Sequence, residues 1–441
     1  MIIEFSVQNF RSIYDKVTLS MMAAKLTGKE ATLDNIFYHP NYPNIPLLKS
    51  AVIYGANASG KSNVLKALKK FQEFIEKSTD YKFEQKLPYE PFRLLKNSTN
   101  EPSSFEMDFI ALDGIRYIYG FKMNEEEILE EYLSSYTSRK ETKLFVRKKG
   151  EKIVFSSAFK GEKKILEDQL LKNNLLLSKA ANSNYEQMQT IYSYFVNQFI
   201  MNMGDIAWKG YSKRKLVNNL DLKNIITEIL KLADTGINSI EVEKNESGGV
   251  FKDSPDLLKV LTEVESKLPK KMSTPNNMMY SSLLSELYST DVIHYTSDET
   301  EPKRVIWALS QESSGTQKLF ELAVPIIDVL RSGAALVFDE INNSLHPLLS
   351  RLIIELFHKN SNPKNAQLIF TTHDVSLLTS EIFRRDQIWF TEKNNEGMTD
   401  LYSLGSFDKK DVRKDIPIDK WYLSGRFGAI PIIQELNIKP E

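Results

Sequence analysis

An α/β fold, with a mainly parallel sheet and helices on its faces, is predicted by three features of this 441-residue chain. From residue 305 onward, strand-like and helix-like stretches alternate: 305–309, 317–330, 334–338, 348–358, 367–371, 375–383 and 387–391. Regular strand–helix alternation argues for parallel strands joined by crossovers. Nearer the start, the apolar run Ala51-Val52-Ile53-Tyr54 meets a glycine-rich turn, Gly55 to Ser62, and then Val64, Leu65, Leu68, Phe71, Phe74 and Ile75 recur at helical spacing. Finally, Ile3, Phe5 and Val7 alternate with Glu4, Ser6 and Gln8, the period of a half-buried strand, which Asn9-Phe10-Arg11-Ser12 closes.

The turn between strand and helix reads GANASGKS, which fits G-x-x-x-x-G-K-[ST]. In such a loop the backbone N–H groups, here from Gly55 and Asn57 to Gly60, cradle the phosphates of a nucleotide. Lys61 reaches the β- and γ-phosphates as a point charge, and the Ser62 hydroxyl holds Mg²⁺. The amphipathic helix that follows turns its N-terminus toward the phosphates. A plain glycine turn could carry Lys-Ser as well, but the strand before and the helix after favour the phosphate loop. The chain is expected to bind a nucleoside triphosphate.

Two later strands supply the chemistry that a phosphate loop lacks. Ala334-Ala335-Leu336-Val337-Phe338 is wholly apolar and ends in Asp339-Glu340. A carboxylate at that place helps hold Mg²⁺ in phosphate-loop enzymes, so Asp339 takes the metal and Glu340 polarises the attacking water. Leu368-Ile369-Phe370-Thr371-Thr372 ends in His373-Asp374, and a histidine there can donate to the γ-phosphate. A lone histidine is more often structural; its position after the Asp-Glu strand favours the functional role. Gln311-Glu312-Ser313-Ser314-Gly315-Thr316-Gln317 precedes a helix carrying Leu319, Leu322, Ala323, Ile326, Ile327 and Leu330 on one face. Alone it is a helix N-cap.

The middle of the chain differs. Strand-like runs at 105–112, 117–123 and 152–155 include a hairpin signal, Asp113-Gly114. From 161 to 287 the pattern is helical. Met188, Ile191, Tyr192, Phe195 and Phe199 share one face, as do Leu222, Ile225, Ile226 and Ile229. Gly204, Gly210, Gly236, Gly248, Gly249, Pro255, Pro269 and Pro275 interrupt it too often for a long coiled coil. The expected organisation is a phosphate-loop lobe with a β extension over 1–160, a compact helical arm over 161–287, and a second lobe with the tail over 288–441.

Composition sets outer bounds. A content of 41% hydrophobic and 26% charged residues is ordinary for a globular protein. The net charge of -1 gives no global attraction to nucleic acid or membrane. Without cysteine there are no disulfides, thiolate metal sites or cysteine nucleophile, which suits the cytoplasm. Glu4 and Arg11 break any signal-peptide core, and no apolar run approaches a membrane span. A cytoplasmic protein without membrane association is expected.

The order of these motifs resembles that of the ABC-type ATPases: phosphate loop, signature sequence (Ser314-Gly315), Asp-Glu strand, switch histidine. The opening Asn9-Phe10-Arg11-Ser12 is similar to the RecF, SMC and OLD-like branch. The segments EFSVQNFRS, KSAVIYGANASGKSNVLKAL, SSGTQKL, LVFDEINNSLHPLLS, IFTTHD and YLSGRFGAIP resemble the AAA15-type ATPases of the RloA and AbiL kind, found in bacterial phage-defence operons. The resemblance implies an ABC-type ATPase head with a mixed sheet, a β-rich extension and an inserted helical arm. It makes Lys61 and Ser62 the phosphate and Mg²⁺ residues, Asp339 the metal carboxylate, Glu340 the catalytic base and His373 the switch. Arg11 approaches the nucleotide, and Ser344-Leu345-His346-Pro347 takes the place of a dimer-contacting loop. Gln85 and Glu90 are candidates for the glutamine loop. The signature reads Ser-Ser-Gly-Thr-Gln where many cassettes have Leu-Ser-Gly-Gly-Gln.

In this family two chains pair head to tail, with ATP between one subunit's Lys61 and the other's Ser314. The resemblance therefore implies a homodimer, alone or in an assembly of dimers, acting as sensor and scaffold in an abortive-infection system with a phage-derived trigger. OLD-type relatives carry a nuclease after the ATPase; here about 67 residues follow His373-Asp374, fewer than an ordinary domain needs. Asp400, Asp408, Asp411, Asp415 and Asp419 are scattered, so the effector is expected to be a separate protein, RloB-like or a nuclease. The alternative is a DNA-repair or chromosome-maintenance ATPase that clamps DNA. Its phosphate contacts would come from Arg139-Lys140, Arg147-Lys148-Lys149 and Lys213-Arg214-Lys215, whose plainer role is as solvated tips. A transporter subunit is disfavoured by the inserted arm and the RecF-like opening.

Overall fold

The computed structural model describes residues 1–26, 34–137, 140–203, 207–245, 259–260, 262–263, 285–297, 301–407 and 417–431. Among them the strands form four sheets. The head sheet contains β5 (Ser50–Gly55), β11 (Phe199–Asn202), β15 (Ala335–Phe338), β16 (Gln367–Thr371), β17 (Ile388–Lys393) and β18 (Thr399–Ser403), in the order β11-β15-β16-β5-β17-β18. All neighbours are parallel except β17 and β18, which form an antiparallel hairpin. β5 therefore lies between β16 and β17, which brings the phosphate loop beside the ends of strands far away in sequence.

β5 is buried along its whole length. Val52 and Tyr54 point into one apolar core, and Ala51 and Ile53 into another, as the period of two requires. The second core contains α1 (Lys61–Lys77), whose Val64, Leu65, Leu68, Phe71, Phe74 and Ile75 are all buried. Phe71 stacks on Phe121 with centroids 5.6 Å apart. Burial of such side chains contributes about 1.5–3 kcal/mol each and fixes the helix against the sheet.

That core is closed by an antiparallel sheet of β1 (Ile2–Gln8), β2 (Val17–Ser20), β6 (Ser103–Ile110), β7 (Arg116–Met123), β8 (Ile128–Tyr136), β9 (Thr142–Lys148) and β10 (Val154–Phe155), ordered β10-β9-β8-β7-β6-β1-β2. The N-terminal strand and the β extension thus share one sheet. β3 (Ile36–His39) and β4 (Tyr42–Leu48) form a separate hairpin.

The stretch 161–287 is divided between bodies. α2 (Lys163–Gln169), α3 (Leu176–Asn182) and α4 (Glu186–Asn197) belong to the core of α1. The helical face read as reaching Phe199 stops earlier: α4 ends at Asn197, and Phe199 opens β11, paired with Ala335. The Gln72 side-chain amide donates to the carbonyls of Phe195 (2.8 Å) and Phe199 (2.7 Å), satisfying groups at the helix end and fixing the turn into the strand. α5 (Ala207–Leu216) and α6 (Leu220–Leu232) pack in the other core. β12 (Ser239–Lys244), β13 (Tyr288–Tyr295) and β14 (Arg304–Ala308) make an antiparallel sheet of three. Gly204, Gly248, Gly249, Pro255, Pro269 and Pro275 lie outside the described residues.

Further helices among the described residues are α7 (Ser314–Ser332), α8 (Pro347–His358) and α9 (Ile418–Leu423). Residues 375–383, expected as a helix, form only a 3₁₀ turn, Val375–Leu377, followed by irregular chain. The Asp374 carboxylate accepts from the Ser376 N–H at 2.9 Å and from its hydroxyl at 2.6 Å. Such an Asx turn competes with helix extension. No helix among the described residues is long and apolar enough to cross a membrane.

Candidate functional site

The loop after β5 turns sharply because two glycines permit close approach. A Cβ on Gly60 would lie 2.1 Å from Thr399 Oγ1, and its φ of +112° is a conformation that L side chains rarely adopt. A Cβ on Gly55 would meet Ser59 Oγ and Thr391 Oγ1 at 2.5 Å. With Gly60 as N-cap, α1 starts at Lys61 with no acidic residue in its first turn. Its free N–H groups and dipole favour an anion.

A small cleft of about 260 Å³ opens over this loop. Asn57, Gly60, Lys61 and Ser62 line it together with Glu340, His373 and Lys393. Lys61 Nζ donates to the carbonyls of Gly55 (2.8 Å) and Ala56 (3.0 Å). Burial lowers its pKa from 10.5 to about 8, against the opposing pull of Glu340 and Asp339. The Ser62 hydroxyl donates to Asp339 Oδ1 at 3.2 Å. Thr371, buried on β16, donates to the same oxygen at 2.7 Å and accepts the Glu340 N–H at 2.8 Å. Glu340 has φ +54°, the left-handed region, so the bend that turns it into the cleft is pinned by the neighbouring strand. Burial, and then the Lys61 ammonium, lower the pKa of His373 and favour neutral imidazole.

Ser62 Oγ and Asp339 Oδ1 converge as a hard oxygen pair, the donor type that Mg²⁺ takes. No group of three or more His, Cys, Asp or Glu capable of holding a metal occurs among the described residues; Asp408, Asp411 and Asp415 lie outside them.

Sequence reasoning missed the scaffold behind the loop. Asn63 Nδ2 donates to Ser12 Oγ (2.7 Å), which lies 2.7 Å from Thr399 Oγ1; that hydroxyl donates to the Ser59 carbonyl (3.0 Å). Ser59 Oγ and Thr391 Oγ1 are 2.6 Å apart. Ser12 belongs to the Asn9–Ser12 turn, but nothing in the sequence marks Thr391, Lys393 or Thr399, which the β17–β18 hairpin delivers.

Arg11 stands beside this cleft, not in it. It lines an adjoining one of about 460 Å³ with Ser12, Asn63, Glu90 and Lys393, and its guanidinium pairs with Glu90 at 2.6 Å. Glu90 also binds Lys70, at 2.8 Å. Gln85 Oε1 accepts the Lys82 N–H, and Gln85 does not line the phosphate-loop cleft.

Ser314 and Gly315 lie elsewhere on the subunit and line no part of the cleft. Ser313 Oγ caps α7 by accepting the Thr316 N–H at 3.1 Å, and Ser314 is exposed at the helix N-terminus. A Cβ on Gly315 would lie 3.4 Å from the Ser344 carbonyl, so the signature adjoins the Ser344–Pro347 loop. His346 Nδ1 accepts the Leu348 N–H (3.3 Å) as N-cap of α8, and Leu348 is 67% exposed.

The basic clusters are partly consumed inside the fold. Arg147 is buried, donating to the Asn174 carbonyl at 2.6 Å and lying 3.5 Å from the buried Glu131. Lys213 is buried and donates to the carbonyls of Ser285 and Tyr288. Lys149 pairs with Glu127 at 2.7 Å, and Lys215 with Asp328 at 3.4 Å. Arg139 lies outside the described residues.

No curated protein sequence matches the chain. Among solved structures, it is similar to the SMC head domain from Thermotoga maritima, with 14% identity and a TM-score of 0.40, covering 91% of this chain and 98% of that one. It is also similar to an SmcHead bound to the C-winged helix domain of ScpA, with 12% identity and a TM-score of 0.37, covering 91% and 97%. The model of the family described as "AAA domain, putative AbiEii toxin, Type IV TA system" matches residues 50–379, from the strand before the phosphate loop to beyond His373. The chain belongs to that family of AAA domains.

Proposed function

We propose that this protein is an ATPase that pairs with a second copy of itself around two ATP molecules. The observation that carries this reading is the division of the site. Lys61, Ser62, Asp339, Glu340 and His373 gather about one cleft, while the exposed Ser314 and the half-buried Gly315 line no part of it. A second copy related by a two-fold axis would bring its exposed Ser314 over the first copy's cleft, an isologous arrangement.

In this reading the loop N–H groups of Gly55, Asn57 and Gly60 cradle the phosphates, and Lys61 exchanges its two carbonyl partners for phosphate oxygens. Ser62 and Asp339 would hold Mg²⁺, which would supply positive charge against the phosphates. Glu340 orients and polarises the attacking water. Neutral His373 donates a ring N–H to the γ-phosphate. Ser314 and the N-terminus of α7 from the partner close the other side, where the helix dipole favours the phosphate charge. Arg11, in the adjoining cleft, reaches the nucleotide only by leaving Glu90. Pairing holds ATP between subunits, and its hydrolysis to ADP and phosphate lets them separate.

The test is complementation between inactive variants. Lys61→Ala and Ser314→Arg are each expected to abolish hydrolysis. In an equal mixture, half the dimers are mixed and each holds one intact site, so about a quarter of normal activity returns. A site complete within one subunit would regain none, and that result refutes the composite arrangement.

We assign the cellular role to abortive infection, the protein acting as sensor and scaffold for a separate effector, RloB-like or a nuclease. The family description, which names a putative AbiEii toxin and a type IV toxin–antitoxin system, supports a place in such systems. Recovery of the native protein with its partners, with and without infection, tests this. A partner set with no toxic or nucleolytic protein in either condition counts against it.

A further inference from the structure

The sheet of β12, β13 and β14 takes no part in the cleft, yet its last strand runs directly into the signature turn. β14 ends at Ala308, a 3₁₀ turn occupies Leu309–Gln311, and Glu312 follows. Glu312 Oε1 accepts from Trp307 Nε1 at 2.7 Å and from His294 Nε2 at 2.8 Å. The two donor rings are stacked, 4.1 Å between centroids and 19° between planes. The side chains of His294 and Glu312 are only 14% and 11% exposed. A carboxylate so shielded is costly unless its lone pairs are filled. Here donors from two adjacent strands meet on a single oxygen, which locates that oxygen in three dimensions.

The restraint passes onward along the chain. The Glu312 carbonyl accepts from Gln317 Nε2 at 2.8 Å, tying the turn to the first turn of α7. Gln317 Nε2 also donates to the Ser310 carbonyl at 3.2 Å. Ser313 then caps Thr316, and Ser314-Gly315 follow at the helix start. A turn ending in an exposed functional segment would otherwise fray, because the first N–H groups of a helix have no partner within it.

We propose that Glu312 is a positioning residue, clamped by Trp307 and His294, which sets the direction in which Ser314 and the N-terminus of α7 meet a partner's nucleotide. The inference rests on the composite ATP site proposed above. Glu312 lines no part of the phosphate-loop cleft. The binding of nucleotide to a single subunit is therefore outside its reach, whereas ATP-driven pairing and turnover depend on it. A displacement of about 1 Å in such an element is enough to cost about a hundredfold in rate.

The test compares Glu312→Ala, Glu312→Gln and Trp307→Phe in the full chain. The measurements are ADP affinity at concentrations where subunits are separate, ATP-driven association, kcat, and hydrogen exchange at the Thr316 and Gln317 amides. Glu312→Ala is expected to lower association and kcat by about tenfold or more, to leave ADP affinity within about twofold, and to speed amide exchange. Glu312→Gln keeps an acceptor oxygen for both rings and should stay within about threefold of the parent protein. Trp307→Phe removes one donor and part of the ring stacked on His294, leaves the His294 donor in place, and should shift the same quantities by less. Unchanged kcat and association in Glu312→Ala overturn the proposal, as does a glutamine variant as impaired as the alanine one. Should the parent protein hydrolyse ATP without pairing, the composite site falls on its own account. Amide exchange then decides the clamp, and unchanged exchange in Glu312→Ala overturns it.

Discussion

Replacing Thr371 by valine removes one hydroxyl while keeping the branched shape of the side chain. That hydroxyl makes two bonds in the candidate site, donating to Asp339 Oδ1 at 2.7 Å and accepting the Glu340 N–H at 2.8 Å. Loss of a bond to a charged group costs about 1.5–3 kcal/mol, and an amide left unpartnered about 1–3 kcal/mol. Both bonds are only partly shielded, so the combined cost is about 2–4 kcal/mol. Much of it falls on the Glu340 bend. A non-glycine residue at φ +54° stores strain of about 1–2 kcal/mol, and the Thr371 hydroxyl is one of the groups holding it. Once released, Glu340 relaxes and its carboxylate leaves the position over the cleft. The expected outcome is a fall in kcat of about 10- to 100-fold with nucleotide affinity within about threefold, since the phosphate loop is untouched. Thr371→Ser keeps the hydroxyl and should recover most of the rate. Phosphate release, equilibrium nucleotide binding and thermal denaturation measure the three quantities. A valine variant with unaltered kcat would show that the hydroxyl does not hold Glu340 in a position that hydrolysis requires.

Three further outcomes follow from the same geometry. The Lys61 ammonium, lowered to about 8, loses its proton above that pH in the nucleotide-free protein, so nucleotide affinity should fall as pH rises through 8 and binding there should take up a proton; calorimetry in buffers of different ionisation heat reads both. Glu340→Gln keeps the side chain's shape but removes the proposed base, and is expected to accumulate an ATP-bound pair with kcat reduced about a hundredfold or more, visible by light scattering. Gly60→Ala forces a Cβ to within 2.1 Å of Thr399 Oγ1 at a φ of +112°, and should weaken nucleotide binding by at least about thirtyfold in a titration, with a lowered melting temperature.

The phosphate loop and the strands ending at Asp339 and His373 were legible because their chemistry is local. An apolar run, a turn and an amphipathic helix stand next to one another in the chain, and β16 spans the expected range, Gln367–Thr371, around the apolar Leu368-Ile369-Phe370. The reading failed where a partner decides conformation. Phe199 continues a helical period, but its pairing with Ala335 makes it a strand. Leu377, Leu378, Ile382 and Phe383 are buried as a helical pattern suggests, yet the Asp374 turn keeps them out of one. Ser239–Lys244 alternates, and was hidden among helices because its partner β13 lies beyond a long intervening segment. Thr399 reaches Ser59 across 340 residues, a contact that no local pattern encodes.

The same distinction weighs the two cellular readings. In the sequence, Arg147-Lys148-Lys149 and Lys213-Arg214-Lys215 are runs of positive charge open to any polyanion. A surface that binds nucleic acid must offer cations whose release of counterions drives association. Arg147 instead satisfies carbonyls near the start of α3 and faces Glu131, whose carboxylate also accepts the N–H groups of Leu176 and Leu177. Lys213 fills carbonyls beside β13, joining α5 to the sheet that carries His294. These two cations hold secondary elements together, so removing either would loosen the fold before it altered contact with DNA. The DNA clamp thus loses two of the charges that suggested it, whereas the ATP pairing keeps the exposed segment it requires. That segment is joined to the sheet of β13 and β14 through Glu312, so in the proposed pair events at that sheet would have a short mechanical route to the ATP bound by the other copy.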